Sequence, residues 1–159
     1  MIKKVFYGLI VAGVVCFFFV VGISQTNLDN DPEFKPFIGK SWKTKIDLIA
    51  MEIDGNKNAL VLAKPESSGV PALKDIPAQL PAKYDGGVIH GVFSAGGVFQ
   101  ITHIERVKSF EFTFVDFYAT VTSEGNFKGQ KVDVGGLTIQ NPSAPTFNQK
   151  YLEEITPAK

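Results

Sequence analysis

The uncharged stretch from Val5 to Gln25 restricts what this chain can fold into more than any other feature of the sequence. It follows Lys3 and Lys4, and a basic start followed by an apolar run is typical of an export signal. As a helix rising ~1.5 Å per residue, residues 5–23 would nearly span the ~30 Å core of a bilayer. Such a run either stays in a membrane or is removed, so we expect only the residues after it to form a globular domain.

Two interpretations of this stretch stay open. Its length exceeds the ~7–15 apolar residues usual in a signal peptide, which favours a retained transmembrane anchor, whereas Gly22 and Ser24 are small residues placed for cleavage after Ser24. Both give the same orientation, because the two lysines stay in the cytoplasm and no second apolar segment follows. We therefore predict an inner-membrane protein with a periplasmic domain, or a periplasmic protein if residues 1–24 are cleaved off.

The single cysteine, Cys16, lies within this stretch. A bacterial lipoprotein signal needs a small residue directly before the cysteine, but Val15 occupies that position and the apolar run continues beyond it, so lipidation is not expected. The exported part then has no thiol for disulfides, metal ligation or nucleophilic catalysis.

Charge excludes one class of partner. The chain has 16 basic and 16 acidic residues, and without Lys3 and Lys4 the exported part has 14 against 16. A nucleic-acid-binding surface needs a clustered excess of Lys and Arg, so we expect no nucleic acid as partner.

Beyond the leader, the pattern predicts a polar tether over residues 25–40, a β domain over 41–140 and an irregular tail over 141–159. Alternation from Trp42 to Ala50 predicts a strand, and Asp54-Gly55 predicts a hairpin turn into the next strand. Several more short strands separated by glycine turns follow, ending at Leu137–Ile139. The fold class is therefore all-β, an SH3-like half-open barrel after an N-terminal apolar helix, with an OB-like barrel as the alternative.

The segment from Lys64 to Gly87 contains four prolines, which prevent a long helix or a continuous strand. We expect a structured loop that closes one end of the barrel through Leu73, Ile76 and Leu80, with a binding role as the alternative.

The alternation of apolar residues in one predicted strand would place three phenylalanines in water, which marks a candidate binding surface. Alternation from Phe112 to Thr122 assigns Val115, Phe117, Ala119 and Val121 to the core, and Asp116 and Tyr118 to the other face. The same phase would expose Phe110, Phe112 and Phe114. A bulge near Phe114 or a wide turn over Lys108–Glu111 would restore their burial, and an exposed aromatic patch is the alternative. The candidate partner-binding residues are Phe110, Phe112, Phe114, Tyr118, Asp75 and Tyr84.

Five short patterns carry a family resemblance: Trp42-x-Thr44-x-x-Asp47-Leu48, Gly69-Val70-Pro71-x-Leu73, Gly91-Val92-Phe93-x-Ala95-Gly96, Thr102-x-Ile104 and Phe127-x-Gly129-x-x-Val132. Together they resemble small exported bacterial envelope proteins, often lipoproteins, of uncharacterised function. The resemblance implies an SH3-like envelope domain and brings no catalytic residues with it. Val15 before Cys16 departs from the lipoprotein pattern.

Motifs for catalysis or cofactors are not evident. Gly39-Lys40-Ser41 lacks the earlier glycine of a phosphate-binding loop, and Asp54-x-Asn56-x-Asn58 lacks the glycine and glutamate of a calcium loop. A metal site of His90 and His103 with Asp85 or Asp116 is conceivable, but no ligand spacing accompanies the histidines. We expect no enzyme, no cofactor and no metal.

These features predict a non-catalytic exported protein, anchored in the inner membrane through residues 5–23, whose β domain binds a protein or cell-wall partner. The alternative is a periplasmic immunity or inhibitor protein that uses the 64–87 loop against a toxin or hydrolase.

Overall fold

The computed structural model describes residues 24–53, 56–109, 111–123, 125–139 and 146–156. The apolar stretch 5–23, with its expected helix, lies outside these residues. The described part is all-β, as predicted, with short 3-10 helices at Lys35–Phe37, Leu73–Asp75 and Gly135–Leu137. Its strands are β1 (Ser24–Asn27), β2 (Ser41–Thr44), β3 (Leu48–Ile53), β4 (Asn56–Ala63), β5 (Ala82–Tyr84), β6 (Gly87–Phe93), β7 (Val98–Lys108), β8 (Thr113–Val121), β9 (Lys131–Asp133), β10 (Thr138–Ile139), β11 (Thr146–Phe147) and β12 (Leu152–Ile155).

Ten of these strands form one sheet that does not close into a barrel. Its order is β12-β2-β7-β8-β9-β4-β3-β6-β5, and β1 pairs with the part of β7 that β2 leaves free. Neighbouring strands are antiparallel except β4 and β9, which are parallel. The remaining described strands, β10 and β11, pair with each other.

The sheet curves around a single main core. Leu48, Leu62 and Phe93 from β3, β4 and β6 lie in the same buried cluster as Phe99 and Phe117 from β7 and β8. The inward set predicted for β8 is confirmed, since Val115, Phe117, Ala119 and Val121 are all buried. The continuous strand predicted from Trp42 to Ala50 is wrong: β2 and β3 are separate, because residues 45–47 turn the chain between them.

The segment 25–40 differs from the expected tether. β1 pairs with β7 from Ser24↔Lys108 to Asn27↔Glu105, and the amide of Leu28 donates to the carbonyl of Ile104 at 2.9 Å. Leu28 and Phe34 are 3% and 1% exposed within the main core. The tether is therefore corrected to a packed part of the domain, because its apolar side chains fill the core beside the edge of β7.

The segment 141–159 is likewise not an irregular tail where it is described. Residues of β12 (Leu152–Ile155) pair with β2, so this part of the segment is a strand of the main sheet. Phe147 and Leu152 are buried in the main core. Burial of these two side chains explains why the segment is ordered against the sheet.

The proline-rich loop packs on the outside of the sheet instead of closing an end. Val70 and Ile76 cover a small second cluster of Ile49, Met51 and Ile89. Leu73 and Leu80, which were expected to be buried, are 39% and 37% exposed. Ile76 is partly buried, but against this second cluster and not across an end of the main core.

Candidate functional site

Several titratable side chains meet on the outer face of β7, β8 and β9. Side chains of β8 that point away from the core include Asp116 and Tyr118. The register places Glu105 opposite Asp116 and Asp133 opposite Tyr118. We call Glu105, Asp116 and Asp133 the carboxyl cluster.

A bulge explains how Glu105 joins this face. The β7–β8 register shifts between Ile101 and His103, so Thr102 is an extra residue in β7. The bulge predicted near Phe114 is wrong, because Val107↔Phe114 and Lys108↔Thr113 continue in register. The shift at Thr102 lets Ile101 and Ile104 both face the core, and it turns His103 and Glu105 outward onto the carboxyl cluster.

Burial and mutual repulsion raise the pKa values of two acids of the carboxyl cluster, Asp116 and Asp133. Burial, followed by the nearby charges of Asp133 and Glu105, raises the pKa of Asp116 to about 7. Burial also raises the pKa of Asp133, although its Oδ1 accepts a 2.8 Å hydrogen bond from the amide of Gly135. Asp116 therefore exchanges its proton near neutral pH.

Tyr118 joins the cluster to its surroundings. Its hydroxyl donates to Glu105 Oε1 at 2.8 Å, and burial together with this bond raises the pKa of the phenol. The ammonium of Lys131 lies 4.3 Å from the centre of the ring. His103 stacks on the same ring at 5.8 Å between centroids. Tyr118, predicted to be a partner-binding residue, is 8% exposed and is occupied by these contacts.

His103 is held between two carboxylates. Its Nδ1 lies 2.9 Å from Asp29 Oδ2, and its Nε2 lies 3.7 Å from Glu105 Oε2. Burial alone would raise the pKa of Asp29, but the bonds from His103 and from the amide of Ile104 keep it below its ordinary value. This arrangement fastens the segment after β1 to β7.

The structure does not bring the two histidines to one site. His90 Nε2 lies 3.6 Å from Glu52 Oε2, whereas the carboxylates near His103 are Asp29 and Glu105. Over the described ranges, no group of three His, Cys, Asp or Glu is arranged to hold a metal ion. The conceivable two-histidine site thus has no geometric support there.

Replacing Asp116 by asparagine is expected to stabilise the domain at high pH. Between pH ~4 and ~7 the unfolded chain releases a proton that native Asp116 retains, so stability falls as pH rises through this window. Asp116→Asn removes that loss, and because the side chain is only half-buried we expect a gain of about 1–2 kcal/mol near pH 8 and less near pH 5.

Urea unfolding at both pH values measures this difference. Asp75→Asn, at an exposed acid in the proline-rich loop, is the matched control and should change stability little at either pH. An equal effect of Asp116→Asn at both pH values would contradict the raised pKa.

The end of the β7–β8 hairpin is aromatic and exposed. Phe112 is 56% exposed, Phe114 is half-buried, and their rings stack at 5.6 Å with 29° between planes. The turn is fixed by Ser109, whose amide donates to the Phe112 carbonyl at 2.8 Å. The predicted wide turn over Lys108–Glu111 is wrong, because the strands stay paired up to Ser109 and Phe112. The alternative of an exposed patch therefore holds for Phe112. We call residues 108, 109 and 111–114 the aromatic tip; Phe110 lies outside the described residues and is not included.

The other predicted binding residues lie elsewhere in the fold. Asp75 is exposed on the proline-rich loop, and Tyr84 is 38% exposed on β5, the last strand of the sheet order. Since β1, next to the aromatic tip, pairs near the other end of that order, the five described residues of the predicted set do not form one surface.

A groove that the sequence did not predict lies between the β6–β7 turn and residues 121–127. It has a volume of about 440 Å³, and none of its described lining residues is charged. Its apolar side is formed by Val92, Phe93 and Phe127, and its rim by Ser94–Gly97 and Asn126.

Two glycines make this groove possible. A Cβ on Gly97 would lie 2.6 Å from Cζ of Phe93, and one on Gly91 would lie 2.9 Å from Cζ of Phe127. Both rings therefore rest directly on backbone. The turn at Ser94–Gly97 and the segment Gly125-Asn126-Phe127 lie far apart in the sequence, so no local pattern could have predicted that they line one groove.

Comparison of the chain with family models, curated proteins and solved structures found no match. Among the described residues, no helix has the length and apolarity needed to cross a bilayer.

Proposed function

We propose that this protein is a non-catalytic binding protein of the cell envelope, exported and anchored in the inner membrane through residues 5–23. The uncharged run behind Lys3 and Lys4 supports the location. We further propose that its open, curved sheet is an elaborated SH3-like half-open barrel, which the short strands around one core support.

The observation that carries the binding function is the groove, whose described lining residues include two aromatic rings and no charged side chain. A concave site with aromatic side chains and exposed backbone at its rim suits an apolar group of a protein or cell-wall partner. Phe127 is half-buried and packs on the main core, and its ring lies 6.1 Å from that of Phe93. The apolar side of the groove is therefore held by the core before any partner arrives, which lowers the ordering cost of binding.

The carboxyl cluster supports binding less well. Two of its three members already have partners within the chain: Tyr118 for Glu105 and Gly135 for Asp133. Likewise, the 64–87 loop lies against β3 and β6, whereas the inhibitor alternative needs it as a protruding element. We therefore favour the groove.

Placing a charge in the groove is expected to abolish partner binding. Val92 lines the groove and is 37% exposed, so Val92→Lys should change stability by no more than ~0.5 kcal/mol. It would place an ammonium next to the apolar side of the groove. The matched control is Ile139→Lys, at an apolar residue that is 54% exposed and does not line the groove.

The measurement is capture of the tagged full chain from cross-linked envelopes, together with sedimentation on purified peptidoglycan. A protein or cell-wall fragment retained by the wild type and by Ile139→Lys but lost with Val92→Lys supports the proposal. Equal retention by both variants, or no specific retention by the wild type, would contradict it.

A further inference from the structure

We infer that the aromatic tip lies in the surface of the lipid bilayer, beside the point at which residues 5–23 leave it. This inference rests on the proposed membrane anchor. β1 begins at Ser24, directly after the apolar stretch, and Ser24 pairs with Lys108, the last residue of β7. Paired residues in antiparallel strands have Cα atoms ~4.5–5.5 Å apart. The start of the aromatic tip is therefore about one side-chain length from the exit of the anchor.

The connection between anchor and domain leaves little freedom. All four residues of β1 pair with β7, from Ser24↔Lys108 to Asn27↔Glu105. The amide of Leu28 then continues this pairing, and Asp29 binds both the Ile104 amide and His103. A chain anchored through residues 5–23 therefore holds this end of β7 close to the membrane, with no flexible spacer after Ser24.

The chemistry of the tip suits the lipid interface. Exposed aromatic rings are favoured at the boundary between headgroups and acyl chains. Phe112 is the most exposed large apolar side chain among the described residues, and the half-buried ring of Phe114 stacks against it. The exposed charges next to these rings, Lys108 and Glu111, have opposite signs. The tip is therefore expected to enter uncharged lipid without needing anionic headgroups.

Tryptophan fluorescence of the full chain in bilayer discs of zwitterionic lipid tests this placement. Phe112→Trp reports on the tip, and Tyr84→Trp is the matched control at an exposed aromatic residue of β5. The native Trp42 is the only tryptophan of the chain and is 7% exposed, so it gives the same background in both variants.

Nitroxide groups high in the acyl chains quench rings that lie ~5–10 Å below the headgroups, and acrylamide quenches rings in water. We expect lipid nitroxide to quench Phe112→Trp at least about twofold more than Tyr84→Trp, with acrylamide showing the reverse order. Equal access of acrylamide to both positions overturns the inference. Protection of the tip from both quenchers also overturns it, because residues 1–23 or a second copy would then cover the tip in place of lipid.

Carbonate extraction of the same membranes separates the inference from the proposed anchor. If the chain stays embedded while the aromatic tip remains in water, the proposed anchor stands and only the placement of the tip in lipid is refuted. If carbonate releases the chain, both the proposed anchor and the placement of the tip in lipid are refuted.

Discussion

Replacing Phe34 by alanine is expected to lower the free energy of unfolding by about 3–5 kcal/mol. Phe34 is 1% exposed and is among the largest fully buried side chains, and the guanidinium of Arg106 lies 5.9 Å from its ring centre. Truncation would leave a cavity between the segment after β1 and the main core. Thermal or urea unfolding of the full chain in detergent measures the loss.

Phe112→Ala is the matched control for this substitution. It removes the same side chain from a position that is 56% exposed, so stability should change by no more than ~0.5 kcal/mol. Similar stabilities for Phe34→Ala and the wild type would restore the sequence-based expectation that residues 25–40 are a free tether.

Replacing Gly87 by alanine is expected to cost about 3 kcal/mol, the upper end of overpacking effects. A Cβ there would overlap the backbone carbonyl oxygen of Glu52 and would lie 3.3 Å from the Cα of Ile53. Backbone atoms cannot rotate away as a side chain can, so β3 and β6 would have to separate where Ile53 pairs with Gly87. Because β5 pairs only with β6 among the described strands, it would be displaced as well.

Gly136→Ala is the matched control for Gly87. Gly136 is exposed and a Cβ there would meet nothing within 4 Å. Hydrogen exchange of the amides of β3 and β6 reports on local separation of these two strands. The unfolding midpoint reports on the stability of the whole domain. Equal midpoints for the two variants would contradict the close approach of β6 to β3.

The local part of the fold could be predicted from the sequence. Period-two alternation identified the inward side chains of β8, since adjacent side chains on a strand point to opposite faces. The hairpin of β3 and β4 was also expected, and Ile53 pairs with Asn56 around two residues that lie outside the described part. Both predictions depend on neighbours in the chain.

Pairing between distant segments could not be predicted in this way. Leu28 and Phe34 lie in a polar, proline-containing stretch, and their burial depends on the open edge of β7, which no local pattern reveals. The same holds for Phe147 and Leu152, which are buried because β12 pairs with β2.

The candidate sites were likewise predictable only where they depend on residues that are close in the sequence. Alternation pointed Asp116 and Tyr118 away from the core, but it could not place Glu105 beside them, because the bulge at Thr102 changes which face Glu105 occupies. The groove combines a turn at Ser94–Gly97 with Phe127, and the two meet only in the folded sheet. Exposure of Phe112 follows from the uninterrupted register of the hairpin end.

The position of β2 between β7 and β12 has a consequence for the order of events during synthesis. One backbone edge of β2 pairs with a strand from the middle of the chain, and the other with a strand that the ribosome makes more than a hundred residues later. Contacts over such separations form slowly, because the entropy of closing the intervening loop opposes them. The edge of β2 that pairs with β12 therefore stays unpaired until Leu152–Ile155 have been made, and until then β7 is the only described strand that can pair with β2.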